Sequence, residues 1–405
     1  MSRIKIKNFG PIKEGYQKND GWIDVKKVTV FIGNQTSGKS SVAKLISTLR
    51  WIEKSLFRGD VNKSELKRKS KFQNYYCGYQ NIKNYFLPDT EIEFEGDAYK
   101  FQYKNSRLDI LENKKEYLVP KIMYVPSERN FVSVVSQPEK LKYLPKPLYT
   151  FLDEFERSKQ ELSSSIKLPI NNLEFKYEKK KGISKVVGKD YEINLSEASS
   201  GLQSSIPLFI VSKNLAEGIN KEDDNTQSKI SLETMMKYRA RFEKILMNKK
   251  ITEELINSAF KVVSSIIKNS CFINIVEEPE QNLYPSSQRH ILNSLLGFAN
   301  INVGNKLIMT THSPYIINYL SIAIQAGILK TKIKTKNLLE KLNDVVPVKS
   351  TIESSDIVFY QFDDNGSITK LPDYEGIPSD KNYLNKSLAE GNQLFDSLLE
   401  IEQEL

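Results

Sequence analysis

The sequence GNQTSGKS runs from Gly33 to Ser40 and fits the phosphate-loop pattern G-x-x-x-x-G-K-[ST]. The preceding residues, Val28 to Ile32, are β-branched or aromatic, which predicts a buried strand. The following residues, Ser41 to Leu49, place apolar side chains at helical spacing. A chance match on a turn before a helix is the weaker alternative, because the strand and the helix are both in place. We therefore predict an α/β fold with an anion-binding turn at this point.

The predicted turn supplies the phosphate-binding residues, because its N–H groups and the helix N-terminus point at an anion. Lys39 would reach the β- and γ-phosphates of a nucleotide, and the Ser40 hydroxyl would hold Mg²⁺. The complete set is Gly33, Asn34, Gln35, Thr36, Ser37, Gly38, Lys39, Ser40 and Ser41.

A second strand, Ile273 to Val276, is followed by two adjacent carboxylates. If this strand lies beside the phosphate loop, Glu277 would bind Mg²⁺ and Glu278 would position or deprotonate an attacking water. A charged turn after a core strand is the structural alternative, and the phosphate loop makes it the less favoured one.

Two further segments carry candidate site residues. His312 follows the predicted strand Lys306 to Thr310, at the strand end where parallel sheets place functional groups, and would contact the γ-phosphate. The other histidine, His290, is predicted on a helix surface. Ser199, Ser200 and Gly201 precede an apolar helix, so their N–H groups offer a second phosphate-binding helix start or a plain cap.

Composition limits the class of protein. The chain has 405 residues, enough for two or three lobes, and 39% hydrophobic residues, enough for a sizeable core. The net charge of +9 indicates an anionic partner, nucleic acid or acidic protein, or else a lysine-rich solvated surface. Two distant cysteines give no disulfide framework, so a cytoplasmic location fits. The sequence has no apolar run of about 18 residues, so we predict no membrane span.

The order of these motifs resembles the ABC/SMC-class ATPases. In that class the Walker A loop matches Gly33–Ser40, Walker B matches Ile273–Glu278, and the switch histidine matches His312. The D-loop matches Pro279–Tyr284, and the signature motif matches Ser199–Gly201 loosely. The segments Glu277–Pro285 and Ile6–Ile12 look like the OLD-like ATPases of bacterial defence systems, such as the ATPase subunits of Septu and PARIS.

The resemblance implies an ABC-type ATPase head with a mixed central sheet, an antiparallel β lobe and helical insertions. Such heads bind ATP and Mg²⁺ and pair head to tail, so Ser200 and Gly201 would act on the partner's nucleotide. Three departures matter: the signature lacks the Leu-Ser-Gly-Gly-Gln wording, Tyr284 replaces a common aspartate, and the Q-loop glutamine has several candidates. Those candidates are Gln73, Gln80 and Gln102, and the turn Pro126–Arg129 is a further candidate for similar work.

We expect four regions along the chain. They are an N-terminal ATPase lobe (1–135), a signature lobe with helical insertions (136–270), a Walker B and switch-histidine core (271–325), and a C-terminal tail with a hairpin (326–405). The tail shows no spaced acidic residues typical of a TOPRIM nuclease, so we expect any nuclease or toxin to be a separate effector protein.

A basic, aromatic cluster precedes the β lobe. Lysine and arginine interleaved with aromatic rings suit nucleic-acid backbone contact and base stacking, although a solvated face or a protein-binding surface are alternatives. The members are Lys63, Lys67, Arg68, Lys69, Lys71, Phe72, Tyr75, Tyr76 and Tyr79.

The sequence thus predicts a slow ATPase that dimerises on ATP and controls a separate effector of a bacterial antiphage defence system. Glu278, His312 and Lys39 are its expected catalytic residues. A non-hydrolysing scaffold that cages an effector, and a DNA-repair ATPase head, are the alternatives. The partners would be a second copy or a larger homo-oligomer, the effector, and in one alternative nucleic acid.

Overall fold

A computed structural model describes residues 2–113, 115–135, 143–219 and 268–403, except for the side chain at position 388. The predicted helical stretch 214–268, with its polar segment 220–228, therefore lies largely outside the described residues. None of the helices described in these ranges is long and apolar enough to cross a bilayer.

The strands are β1 (Ser2–Phe9), β2 (Gly15–Tyr16), β3 (Ile23–Val25), β4 (Val28–Gly33), β5 (Phe86–Glu95), β6 (Tyr99–Lys104), β7 (Arg107–Glu112), β8 (Pro120–Val125), β9 (Ile166–Lys167), β10 (Glu174–Glu178), β11 (Ile183–Val187), β12 (Glu192–Asn194), β13 (Cys271–Glu277), β14 (Lys306–Thr311), β15 (Ile357–Phe362), β16 (Ser367–Lys370), β17 (Asp373–Tyr374) and β18 (Ile377–Pro378). The α-helices are α1 (Lys39–Arg58), α2 (Lys63–Leu66), α3 (Phe131–Val134), α4 (Lys146–Glu161), α5 (Ser200–Gly218), α6 (Pro285–Ala299), α7 (Pro314–Lys332), α8 (Lys336–Val345) and α9 (Tyr383–Gln403).

The central sheet has the strand order β2-β16-β15-β4-β14-β13-β8. The five strands from β15 to β8 run parallel, whereas β16 is antiparallel to β15. Strands β4, β13 and β14 are buried along almost their whole length because both faces of the sheet are covered, as is usual for parallel sheets. The carboxyl ends of β4, β14 and β13 therefore meet at one edge of the sheet.

The strands that pair with β4, which leads into the phosphate loop, are not the ones that we expected. We predicted the Glu277 strand beside the loop, but β14 lies between β4 and β13. On its other side β4 pairs with β15, which belongs to the predicted C-terminal tail. Pairing between strands distant in sequence cannot be predicted from the local residue pattern of either strand.

The antiparallel β lobe is a five-stranded sheet of order β3-β1-β5-β6-β7. Its apolar face packs on α1, and the buried Ile6, Leu49 and Phe94 belong to this core. A second antiparallel sheet, β12-β11-β10-β9, contributes Phe175 to the core that holds α4 and α5. The predicted α/β fold, with a mixed central sheet and an antiparallel β lobe, is confirmed.

A buried ion pair ties α1 to the β lobe. The Arg50 guanidinium donates to Glu53 Oε2 (2.7 Å) and to Asp97 Oδ2 (3.2 Å). The other oxygen of Glu53 accepts hydrogen bonds from the backbone N–H groups of Ala98 (2.8 Å) and Tyr99 (3.3 Å). Arg50 and Glu53 have side chains only 2% and 0% exposed, so each depends on the other for charge neutralisation.

We predict that Glu53→Ala lowers the free energy of unfolding by about 3–5 kcal/mol, because it leaves the Arg50 charge buried with less compensation. Urea unfolding followed by circular dichroism measures the change. Glu112→Ala is the matched control, because Glu112 pairs with Lys63 at the surface and such pairs contribute about 0–1 kcal/mol. Equal losses for the two variants would contradict the role of the buried pair.

Candidate functional site

The loop after β4 needs glycine at both ends. Gly33 has φ of 145°, and a Cβ there would lie 2.4 Å from the carbonyl oxygen of Phe362 on β15. Gly38 has φ of 103° and immediately precedes α1. Only glycine adopts these angles without strain, and its small size lets the loop pass close to β15. The backbone geometry of the predicted phosphate loop therefore matches its sequence pattern.

The Lys39 side chain is buried against the phosphate loop. Its Nζ donates hydrogen bonds to the carbonyl oxygens of Asn34 (2.6 Å) and Gly33 (3.0 Å). Burial lowers the pKa of Lys39 to about 8, although the negative charge of Glu278 acts in the opposite direction. The loop thus surrounds the ammonium group of Lys39, whose positive charge would attract a phosphate group.

Glu277 ends β13 with a carboxylate that is only partly satisfied. Its Oε2 accepts a long hydrogen bond from the Ser127 N–H (3.3 Å), while Oε1 is buried and has no hydrogen-bond partner among the residues described. Lys44 Nζ lies 4.0 Å from that oxygen. Ser40 lies one turn before Lys44, on the same side of α1.

The donors present here fit Mg²⁺. Mg²⁺ binds hard oxygen ligands and usually keeps several waters besides one or two protein groups. The free oxygen of Glu277 and the hydroxyl of Ser40 are such groups. Within the described ranges no three His, Cys, Asp or Glu side chains gather as a metal cluster, so phosphate and water would supply the other ligands.

Glu278 lies next to His312 at the same sheet edge. Its backbone has φ of 44°, unusual for a non-glycine residue, and its N–H donates to the Thr310 carbonyl (2.9 Å). The carboxylate Oε1 lies 3.7 Å from His312 Nε2, which is beyond hydrogen-bonding distance. Burial and the charge of Glu277 raise the pKa of Glu278 above its ordinary value, which favours acceptance of a proton.

The surroundings of His312 favour its neutral imidazole. Burial and the nearby Lys39 charge lower the pKa of its imidazole. Its backbone N–H and the Thr311 hydroxyl both donate to Glu280 Oε1, at 2.7 and 2.8 Å. Glu280, which our sequence analysis did not assign to the site, therefore fixes the turn that carries the histidine.

Arg129 belongs to the turn Pro126–Arg129, which the sequence offered only as a candidate for the Q-loop role. Its side chain is fully buried and donates to the carbonyl oxygens of Glu277 (2.6 Å), Glu278 (2.5 Å) and Ser204 (3.3 Å). Burial lowers the pKa of Arg129 to about 10, so the guanidinium stays charged. The available signal was the Pro126–Arg129 turn directly after a predicted strand.

The structure brings Lys39, Ser40, Glu277, Glu278 and His312 to one sheet edge, but it places the Ser199–Gly201 segment against the D-loop. A Cβ on Gly201 would lie 2.5 Å from the Asn282 carbonyl oxygen, and Ser204 hydrogen bonds Gln281 at 3.1 Å. No hydrogen bond within the described part of the chain joins Ser199–Gly201 to the loop Gly33–Ser40.

None of the three Q-loop candidates contacts Glu277 through a hydrogen bond that the described residues form. Gln73 donates to the Lys83 carbonyl, Gln80 makes a long bond to Ser47, and Gln102 is exposed on β6. Ser127, after β8, instead takes the position beside Glu277.

The comparison with protein families gives one match. Residues 237–317 match the model of the AAA ATPase domain, and this segment contains Glu277, Glu278 and His312. Among curated proteins no match was found.

Solved structures similar to this chain include two SMC heads and an ABC cassette. The SMC head domain from Thermotoga maritima shares 10% identity, with 92% of this chain and 98% of that chain covered and a TM-score of 0.37. The Smc head from Pyrococcus furiosus, bound to the C-terminal domain of ScpA, shares 8% identity, with 98% and 100% covered and a TM-score of 0.39. A dimeric ATP-binding cassette bound to ADP and phosphate shares 10%, with 92% and 100% covered and a TM-score of 0.32. Because these TM-scores are low, the architecture above rests on the strand order and contacts of this chain.

We predict that Gly201→Ala lowers the free energy of unfolding by about 1–3 kcal/mol, because the new methyl group overlaps the Asn282 carbonyl. Gly218→Ala on the same helix is the matched control. It meets nothing within 4 Å and gains up to about 1 kcal/mol from helix propensity. Chemical denaturation compares the two, and a neutral Gly201→Ala would contradict the close packing of α5 on the D-loop.

Proposed function

We propose that this chain is an ABC/SMC-class ATPase head that binds ATP with Mg²⁺ and hydrolyses it slowly to ADP and phosphate. The observation that carries the proposal is the meeting of Lys39, Glu277 and Glu278 at one sheet edge. A buried lysine in a glycine loop, a buried carboxylate oxygen with no hydrogen-bond partner among the described residues, and a carboxylate with a raised pKa together are what phosphoryl transfer to water uses.

Each residue has a separate task in this proposal. Lys39 and the N–H groups of Gly33–Ser41 bind and orient the phosphates, and Ser40 with Glu277 holds the metal, which neutralises phosphate charge when bound. Glu278 accepts a proton from water, since its raised pKa suits a general base. Neutral His312, held by Glu280, donates a hydrogen bond toward the γ-phosphate.

The second phosphate-binding segment implies a partner copy. Ser199 and Ser200 are exposed at the N-terminus of α5, where the helix dipole favours an anion, yet no described hydrogen bond links them to the phosphate loop of the same chain. We infer that they act on the nucleotide of a second copy, with ATP joining two heads head to tail.

The biological setting that we propose is a switch in a bacterial antiphage defence system, acting in the cytoplasm on a separate effector such as a nuclease or toxin. This proposal rests on the resemblance of Glu277–Pro285 and Ile6–Ile12 to the OLD-like ATPases. The proposed biological setting does not change the catalytic residues that we assign to the ATPase head.

We predict that Glu278→Gln lowers ATP turnover by about 10²–10⁴-fold while ATP affinity changes little, because the amide cannot accept a proton. Phosphate release and equilibrium binding of a fluorescent ATP analogue measure the two quantities. Lys39→Ala should lose ATP binding itself, and the exposed Glu116→Gln should change neither quantity. Unchanged turnover in Glu278→Gln would remove the base assignment, and tight binding with almost no turnover in the natural sequence would favour a scaffold.

The lowered pKa of Lys39 predicts a pH dependence of ATP affinity. Above about pH 8 the free protein loses the Lys39 charge, so binding must take up a proton and the dissociation constant should rise about tenfold per pH unit. Isothermal titration between about pH 7 and 9.5 measures this slope. Lys39→Arg stays charged over that range and should give a flat profile. A flat profile in the natural sequence would contradict the assignment.

We predict that ATP drives Glu278→Gln from the 46.6 kDa monomer to twice that mass, as measured by light scattering. Adding Ser200→Glu should keep the double variant monomeric, because it places a negative charge where the partner's phosphates would bind. Ser163→Glu, also at an exposed serine, should still dimerise. Dimers that form equally with Ser200→Glu would contradict the head-to-tail arrangement.

A further inference from the structure

A second cavity opens on the outer side of α1, away from the phosphate loop. Its volume is about 470 Å³, within the usual range of small-molecule sites. Its walls come from α1, the edge strand β8, the start of α4 and the π-helical turn Phe72–Cys77. None of its lining residues belongs to Gly33–Ser40, so this cavity is distinct from the proposed ATP site.

Aromatic rings form one wall of the cavity. Trp51 is 47% exposed and Tyr75 is 60% exposed, although the exposure of such large rings to water is costly. The buried Tyr76 supports both, with ring centroids 5.9 Å from Trp51 and 5.0 Å from Tyr75. Lys71 Nζ lies 4.2 Å from the Tyr75 ring centroid and helps to hold it. The wall therefore offers exposed ring surface on which a flat ring can stack.

This wall revises the predicted basic aromatic cluster. Phe72 and Tyr76, which we expected to be available for base stacking, are 1% and 6% exposed and belong to the core of the β lobe. Tyr75 alone among the cluster's aromatic residues has a freely exposed ring, and Tyr79 reaches across the cavity to hydrogen bond Thr150 on α4.

Cationic groups line the cavity beside the rings. They are Lys54, Lys121 and Lys146. Lys121 Nζ is bound to Glu154 (2.8 Å), and Lys54 Nζ to the Asn269 side chain (2.9 Å). Burial, and after it the charges of Arg58 and Lys121, lower the pKa of Lys54 to about 7. An anion entering the cavity would favour the charged form of Lys54.

Gln80 supplies a hydrogen-bonding group at the inner end. It is 4% exposed, and its Oε1 is buried with no hydrogen-bond donor among the described residues. A buried acceptor without a partner is costly unless a ligand or water satisfies it. A nucleobase amino group is a donor of the required kind, and it lies on the edge of a ring that can stack.

We propose that this cavity binds one nucleotide unit, with the base stacked on Trp51 and Tyr75 and bonded to Gln80, and with the phosphate near Lys54, Lys121 and Lys146. The unit can be a free mononucleotide or part of a single strand, since both present the same base and phosphate. Lys67, Arg68 and Lys69 are exposed on the adjoining segment, where a strand would continue.

Tryptophan fluorescence tests the proposal directly. The chain has two tryptophans, so the full chain carrying Trp22→Phe reports on Trp51 alone. Titration with adenosine 5′-monophosphate, and separately with a short oligoadenylate, should quench this fluorescence in a saturable way because a base stacks on the indole. Binding of only the mononucleotide identifies a free-nucleotide site, and tighter binding of the oligomer identifies a strand site; both support the proposal.

Variants separate this cavity from the ATP site. In the same background, Lys39→Ala should leave the quenching intact, whereas Tyr75→Ala should weaken binding about tenfold, as loss of one stacked ring does. Lys146→Ala should weaken it further at low salt. Tyr374→Ala and Lys334→Ala are the matched exposed controls. The proposal is overturned if neither probe quenches saturably at millimolar concentration, if Lys39→Ala abolishes quenching, or if Tyr75→Ala binds as well as Tyr374→Ala.

Discussion

The parallel pairing of β4, β14 and β13 is the constraint on which the rest of the site depends. Register fixes Ile32 opposite Thr311 and Thr310 opposite Glu277, so each strand ends within one residue of its neighbour. The phosphate loop, the histidine turn and the acidic pair leave the sheet from these ends. A slip of one residue in either pairing would turn Glu277 to the opposite face of the sheet and move it away from the loop.

Arg129 extends this constraint beyond the sheet. Its guanidinium bonds the carbonyl groups of Glu277 and Glu278 and also the Ser204 carbonyl of α5, so one buried cation fixes the acids relative to the helix that begins at Ser200. Contact of Gly201 with Asn282 adds a second link between that helix and the D-loop. The proposed base and the segment proposed to bind a partner's nucleotide are therefore held by the same few residues. If two heads closed on ATP as we propose, the movement would affect the position of the base and of that segment together.

The sequence predicts the local features of this molecule, such as individual strands and loops, but not which distant strands pair. The phosphate loop, the strand before Glu277 and the strand before His312 are each contiguous, and their patterns predicted the elements in which they lie. The insertion of β14 between β4 and β13, and of β15 beside β4, depends on pairings across many residues that no local pattern records. The contacts of Arg129 and Glu280 could not be predicted for the same reason, since both side chains bond groups distant in sequence. The catalytic and binding roles of the predicted residues remain predictions.

The central claim is that Ser40 and Glu277, on different elements, share one metal ion bound with ATP. A double-mutant cycle of Ser40→Ala and Glu277→Gln, read out as the Mg²⁺ dependence of ATP affinity, tests it most directly. Groups that share a ligand are coupled, so the double variant should lose clearly less affinity than the two single losses combined. Losses that add to within about 0.3–0.5 kcal/mol would show independent sites and would contradict the account.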